Sequence, residues 1–148
     1  MRSRGPIAVL EAEQTRAFWR AIRTVTMFAV DGPSADASLW RISTAPAQGA
    51  ELGRRLAAAG GVELAYDWAG GLVWATIASC ADAGSARVRD ALAQCGGHAM
   101  LVRAPAAARA LVPVFEPQEQ PLAALTARVK ASFDPQGVLN PGRMWAGV

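Results

Sequence analysis

Three glycine pairs, Gly60-Gly61, Gly70-Gly71 and Gly96-Gly97, punctuate the middle of the chain and constrain its fold more than any other feature. Glycine takes left-handed backbone without steric cost, so such pairs mark helix ends and tight turns. The segment "PAQGAELGRRLAAAG" opens on Pro46, suited to a first helical turn, and stops at the first pair. "GSARVRDALAQCGG" reads as a second helix and stops at the third pair in the same way. Between them, "VELAYDWAG" (62–70) and "LVWATIAS" (72–79) flank the middle pair, and their β-branched and aromatic content predicts a hairpin turning at Gly70-Gly71. "ASLWRIS" (37–43) and "HAMLVRA" (98–104) complete the series as strands.

The order β-α-β-β-α-β predicts an α+β domain of the ferredoxin-like type. Its four-stranded antiparallel sheet carries both helices on one face. Before it, "EAEQTRAFWRAIRTVTMF" has Phe18, Ile22 and Val25 on one helical stripe, and "DGPSAD" breaks the chain. After it come a short helix and a proline-rich link in "APAAARALVPVFEP", then an amphipathic helix over 119–133 carrying Leu122, Leu125 and Val129. The expected organisation is an N-terminal helical segment (1–36), the sheet domain (37–104) and a C-terminal helix with its tail (105–148).

A chain of 148 residues is the size of one domain and can bury roughly 70% of its unfolded surface, so it folds without disulfide or metal. Hydrophobic residues make up 52% and charged ones 18%, an apolar lean that reflects either alanine-rich composition or a surface covered by another domain. The net charge is +3, with Lys130 the only lysine. The arginines are scattered, which argues against a nucleic-acid patch but leaves room for a basic face towards an anionic ligand. Cys80 and Cys95 lack metal or redox spacing and read as buried, reduced thiols, and His98 is the only histidine, so no multi-histidine metal site can come from this chain alone. The apolar stretch near Met1 is too short for a signal peptide and runs into Glu11. No segment approaches the ~20 apolar residues of a membrane span. A cytoplasmic location is expected, with membrane association only through partners.

Alternation places Leu39, Arg41 and Ser43 on one face of the first strand and Trp40 and Ile42 on the other. It puts Leu64, Tyr66 and Trp68 together on the second strand, and sets Val73, Ala75 and Ile77 against Trp74 and Thr76 on the third. Tyr66, Trp68 and Trp74 are more large aromatics than the backs of two alanine-rich helices accommodate. The open sheet face is therefore expected to be covered, by a second copy, another domain or a flat ligand.

The tail "FDPQGVLNPGRMW" (133–145) contains two proline turns. Phe133 ends the helix, because Asp134 precedes Pro135 and is pushed out of the α region. Asp-Pro-Gln-Gly forms one turn and Asn140-Pro141-Gly142 the next, with glycine available for positive φ. The outcome is a rigid hook presenting the Asn140 amide and the Arg143 guanidinium, or simply a well-tied terminus.

That tail closely resembles the C-terminal signature of flavin-linked oxidases of the vanillyl-alcohol oxidase type. The stretches "FWRAIR", "LWRIS", "AYDWAGGLVWATI", "GGHAMLVRAP" and "LTARVKASFDPQGVLNPGRMW" resemble, in the same order and across most of the chain, the FAD-binding subunits of bacterial glycolate oxidases. The resemblance implies an FAD-binding domain followed by a smaller α+β cap, of which this chain matches the cap and tail. The tail would return to that N-terminal FAD domain. FAD is the cofactor of the complete protein, but no glycine-rich phosphate loop is present here, so this chain alone is not expected to bind it. In the family's complex, glycolate or a similar 2-hydroxy acid is oxidised to the 2-oxo acid, with companion flavoprotein and iron–sulfur subunits as partners.

On this resemblance Asn140 and Arg143 would face the flavin, or else only lock the tail. Arg41 would pair with the substrate carboxylate, bidentately, or form a rim salt bridge. Tyr66 and Trp74 would contact substrate or serve as cap core. His98 is the one candidate base, against the plainer reading of an exposed or structural histidine. The competing account is an autonomous ferredoxin-like module that self-associates through its sheet, with no redox role.

Overall fold

The computed structural model describes residues 9–29 and 36–145. The chain divides into two compact units, Met1–Ala35 and Asp36–Val148.

In the first unit, α1 (Ala12–Thr24) is followed by a 3-10 turn, Thr26–Phe28. The Glu11 N–H donates to Gln14 Oε1 at 2.9 Å, satisfying one of the groups that a helix N-terminus leaves unpaired. Val25 ends the helix at φ 53, an uncommon conformation for a β-branched residue. No residue of α1 is buried; Phe18 and Trp19 stack edge-on with centroids 5.8 Å apart and stay about half exposed.

The second unit is α+β. It runs β1 (Ser38–Ser43), α2 (Gly49–Ala57), β2 (Val62–Asp67), β3 (Leu72–Ile77), α3 (Ser85–Cys95), β4 (His98–Arg103), α4 (Ala106–Leu111) and α5 (Gln120–Phe133). The sheet order is β2-β3-β1-β4 and every neighbouring pair is antiparallel, as the split βαβ order requires. The core lies on one face. Trp40, Ile42, Val73, Ala75, Ala99 and Leu101 from the strands meet Leu52 and Leu56 of α2, Val88 and Leu92 of α3, and Ala108 of α4. Each large side chain so buried contributes roughly 1.5–3 kcal/mol. Trp40 is fully buried, and its indole N–H donates to the Ala83 carbonyl at 2.8 Å, so the ring brings no unsatisfied donor into the core.

Two glycines permit close backbone approaches. A Cβ on Gly49 would fall 2.1 Å from the Gly70 carbonyl oxygen, so α2 can start against the hairpin only because none is there. Gly97, at φ +115, brings the entry to β4 equally close to the Ser43 carbonyl.

The hairpin differs from the reading at Gly70-Gly71. Strand pairing stops at Asp67, and Trp68 to Gly70 form a helical turn in which Trp68 and Ala69 are themselves left-handed, at φ 52 and 55. Asp67 accepts the Trp68 N–H at 2.7 Å, which stabilises the turn's first step. Leu39, Leu72 and Thr76, on the sheet face away from α2 and α3, are buried.

A bare apolar stripe lies on α5. No α5 residue is buried; Leu122, Leu125 and Val129 are half exposed and Phe133 is 85% exposed. A helix of this length is marginal in water without a packed face. Its end is nonetheless well fixed. Gly137 N–H bonds the Asp134 carbonyl at 3.1 Å, and Arg143 N–H bonds the Asn140 carbonyl at 3.3 Å. The two proline turns thus form where the composition places them, with Gly137 and Gly142 at positive φ.

Candidate functional site

Arg41 sits mid-strand on β1, opposite Trp74 of β3 and Met100 of β4. Its guanidinium carbon lies 5.6 Å above the Trp68 ring, a cation–π contact, and it has no acidic partner among the described residues. His98, opposite Ser43, projects from the same sheet face two residues before Met100. It is exposed, and no carboxylate or carbonyl orients its imidazole among the described residues. A base held only by its own backbone is poorly positioned for proton transfer.

From these residues a cleft of about 870 Å³ extends to the link after α4 and to the tail. Its wall includes Arg41, His98, Met100, Phe115, Met144 and Trp145. The tail is fastened there: the Trp145 and Phe115 rings lie 5.9 Å apart, and the Trp145 indole N–H donates to the Glu116 carbonyl at 3.1 Å. The link is itself pinned to the sheet. Leu101 N–H bonds the Val114 carbonyl at 2.8 Å, along the outer edge of β4.

Arg89 of α3 locks this arrangement. It pairs with Glu116, donates to the Pro113 and Phe115 carbonyls at 3.3 and 3.1 Å, and lies over the Trp40 ring at 5.2 Å. Glu116 in turn accepts the Ala99 N–H at 3.1 Å. Neither residue stood out in the sequence. They are 27 positions apart in elements that alternation and turn signals do not connect.

The hook residues Asn140 and Arg143 are exposed, and their side chains have no partner among the described residues. Neither lines the cleft, to which the tail contributes Met144 and Trp145. Asn140 itself is left-handed, at φ 47, a conformation asparagine tolerates better than most residues. Behind the hook, Asp134 accepts the N–H groups of Val138 and Leu139 at 3.0 and 2.8 Å. The Lys130 ammonium beside it, followed by the Leu139 N–H, pulls the Asp134 carboxyl down to about 2.

Tyr66 is corrected. It pairs with Val73 and so belongs to the helix-covered face, where its hydroxyl occupies the space a side chain on Gly53 would need. Trp74 pairs with Ala65 on the opposite face, beside Arg41. The expected trio of Arg41, Tyr66 and Trp74 is therefore split, and Tyr66 does not share the cleft's face. Nor does Trp68 share a face with Tyr66: the left-handed turn intervenes and carries it beneath Arg41.

Cys80 is also corrected, since it is exposed; Cys95 is half-buried. Local desolvation and the adjacent Asp82 carboxylate push the Cys80 thiol up, away from reactive thiolate character. Asp82 is held below the usual carboxylate range by the backbone N–H groups of Ala86 and Gly84, which it caps at the start of α3.

Among the described residues, no group of three or more His, Cys, Asp or Glu is arranged to hold a metal, and no helix is long and apolar enough to cross a membrane. The glycine pairs do not form a phosphate cradle. Gly70 and Gly97 are pressed against the Pro46 and Ser43 carbonyls, and Gly60 and Gly61 follow the end of α2. No protein-family model, curated protein or solved structure matches the chain.

Proposed function

We propose that this chain is the cap domain and C-terminal tail of an FAD-linked oxidase or dehydrogenase acting on glycolate or a similar 2-hydroxy acid. One observation carries the reading: a single cleft joins Arg41, which has no acidic partner among the described residues, to Met144 and Trp145 of the tail. A guanidinium without an acidic partner suits a substrate carboxylate, and the Trp68 ring beneath it holds it in place. The flavin would be held by a separate FAD-binding domain. The oxidation belongs to the flavin, while this chain binds, orients and shields the acid. Companion flavoprotein and iron–sulfur subunits would complete the complex.

The bare stripe of α5 supports the same reading. Leu122, Leu125, Val129 and Phe133 form an apolar surface that ends in a rigid hook, as expected of an arm that docks on another domain. Self-association through the sheet is less favoured, because Leu39, Leu72 and Thr76 on that face are already buried.

The test is to isolate the native protein from its own cells with an antibody raised to this chain, and to assay it for bound flavin. Flavin in the same polypeptide, or in a chain that copurifies with it, supports the reading. A flavin-free preparation with no such partner overturns it.

A further inference from the structure

We propose that the cleft accepts a monocarboxylic 2-hydroxy acid bearing an extended apolar side chain, in preference to glycolate. This deepens the oxidase reading and rests on it for the 2-hydroxy acid class; the preference for a long apolar chain stands on the cleft alone.

The first observation is size. Glycolate displaces roughly two to three waters at ~30 Å³ each, whereas the cleft, half open to solvent, measures about 870 Å³, room for a far larger ligand. A two-carbon acid held by Arg41 would leave most of that space to water. The second is the wall. Beyond Arg41 its apolar part includes Met100, Phe115, Met144 and Trp145, flexible thioethers and aromatic rings that adapt to an alkyl or aryl chain. Burying each methylene there is worth about a fourfold gain in affinity.

The third is charge. Arg89 and Glu116 pair with each other, so the remaining side chains of fixed charge on the wall are Arg41 and the exposed Glu119, with His98 beside them. One cation can take one carboxylate, and Glu119 disfavours a second. Monocarboxylates are thus selected over dicarboxylates.

The experiment is calorimetric titration of the 148-residue chain with glycolate and with 2-hydroxyoctanoate, for the native sequence, Arg41→Met and Met144→Asp. The longer acid should bind at least about 30-fold more tightly, allowing for partial burial of its methylenes. Each substitution should weaken its binding about tenfold or more, with circular dichroism unchanged. Met144 is 52% exposed, so its replacement reports on the cleft even if Arg41→Met disturbs the sheet. Equal binding of the two acids overturns the proposal, as does tight binding of the longer one that neither substitution affects. A chain-length preference in a protein whose native form carries no flavin would uphold the cleft and sink the oxidase reading. A native flavoprotein whose cap binds both acids alike would do the reverse.

Discussion

Lys130 and Asp134, one helical turn apart, together close the C-terminal hook. The Lys130 Nζ lies 2.5 Å from Asp134 Oδ2 and 2.5 Å from the Leu139 carbonyl oxygen, while Asp134 holds the Val138 and Leu139 N–H groups. The only lysine in the chain is thus committed to the tail. A displayed loop gains from such fixing, because a rigid hook loses little entropy when it docks.

The hook should respond to acid in a defined window. Asp134 has its carboxyl lowered to about 2 in the folded chain, against roughly 3.9 unfolded. A depressed carboxylate contributes stability that is complete above the unfolded value and is lost as pH falls through the folded one. The Val138 and Leu139 amide NMR shifts should therefore stay constant from neutral pH to about 3 and move as pH falls through about 2, where the folded carboxyl titrates. In Asp134→Asn that transition should vanish.

Removing the lysine should free the tail without unfolding the sheet. In Lys130→Met, chymotryptic cleavage near Phe133 and Leu139 should accelerate about tenfold or more, since hydrogen bonds made by charged groups are lost. The thermal midpoint of the sheet core should barely change, because no α5 residue is buried in it.

The Arg89 lock should matter far more to stability. Arg89 and Glu116 side chains are 19% and 31% exposed, and the guanidinium also serves the carbonyls of the link. Arg89→Met should cost about 2–4 kcal/mol in urea denaturation, because Glu116 and those carbonyls lose their donor in a partly buried site. Glu116→Gln, which keeps the acceptor for the Ala99 N–H, should cost less.

Two glycines with positive φ should separate sharply. Gly97→Ala would place a Cβ 2.1 Å from the Ser43 carbonyl, so a loss of about 3 kcal/mol or more is expected. Gly142→Ala meets nothing within 4 Å and suffers only from its φ of +68, a local cost of about 1 kcal/mol. Thermal denaturation of the two variants distinguishes steric from conformational need.

Much of the fold was legible because it depends on local signals. Glycine pairs mark helix ends and turns, and alternation separated Trp40 and Ile42, which lie in the core, from Arg41 on the other face. The tail turns were legible for the same reason, each being set by a proline and a glycine within four residues. Alternation failed at Trp68, because it predicts faces only while the strand continues, and two left-handed residues there redirect the chain. Tyr66 is lost from the cleft for another reason: its register opposite Val73 sets it on the helix-covered face. The Arg89–Glu116 lock and the Lys130 clamp were hidden for a different reason: both depend on where a long flexible side chain reaches in three dimensions. Arg41 and His98 were singled out from residue chemistry, but that they share one cleft with Met144 and Trp145 required the path of the tail.

The central claim is that this cap serves a flavin that oxidises 2-hydroxy acids. The most direct measurement is the visible absorption spectrum of the native protein, purified from its own cells, during anaerobic addition of a 2-hydroxy acid. The oxidised-flavin bands should bleach in step with formation of the 2-oxo acid, and Arg41→Met should raise the concentration of acid required by about tenfold or more. Flavin bands that persist unchanged with every 2-hydroxy acid offered, or no flavin bands at all, would contradict the account.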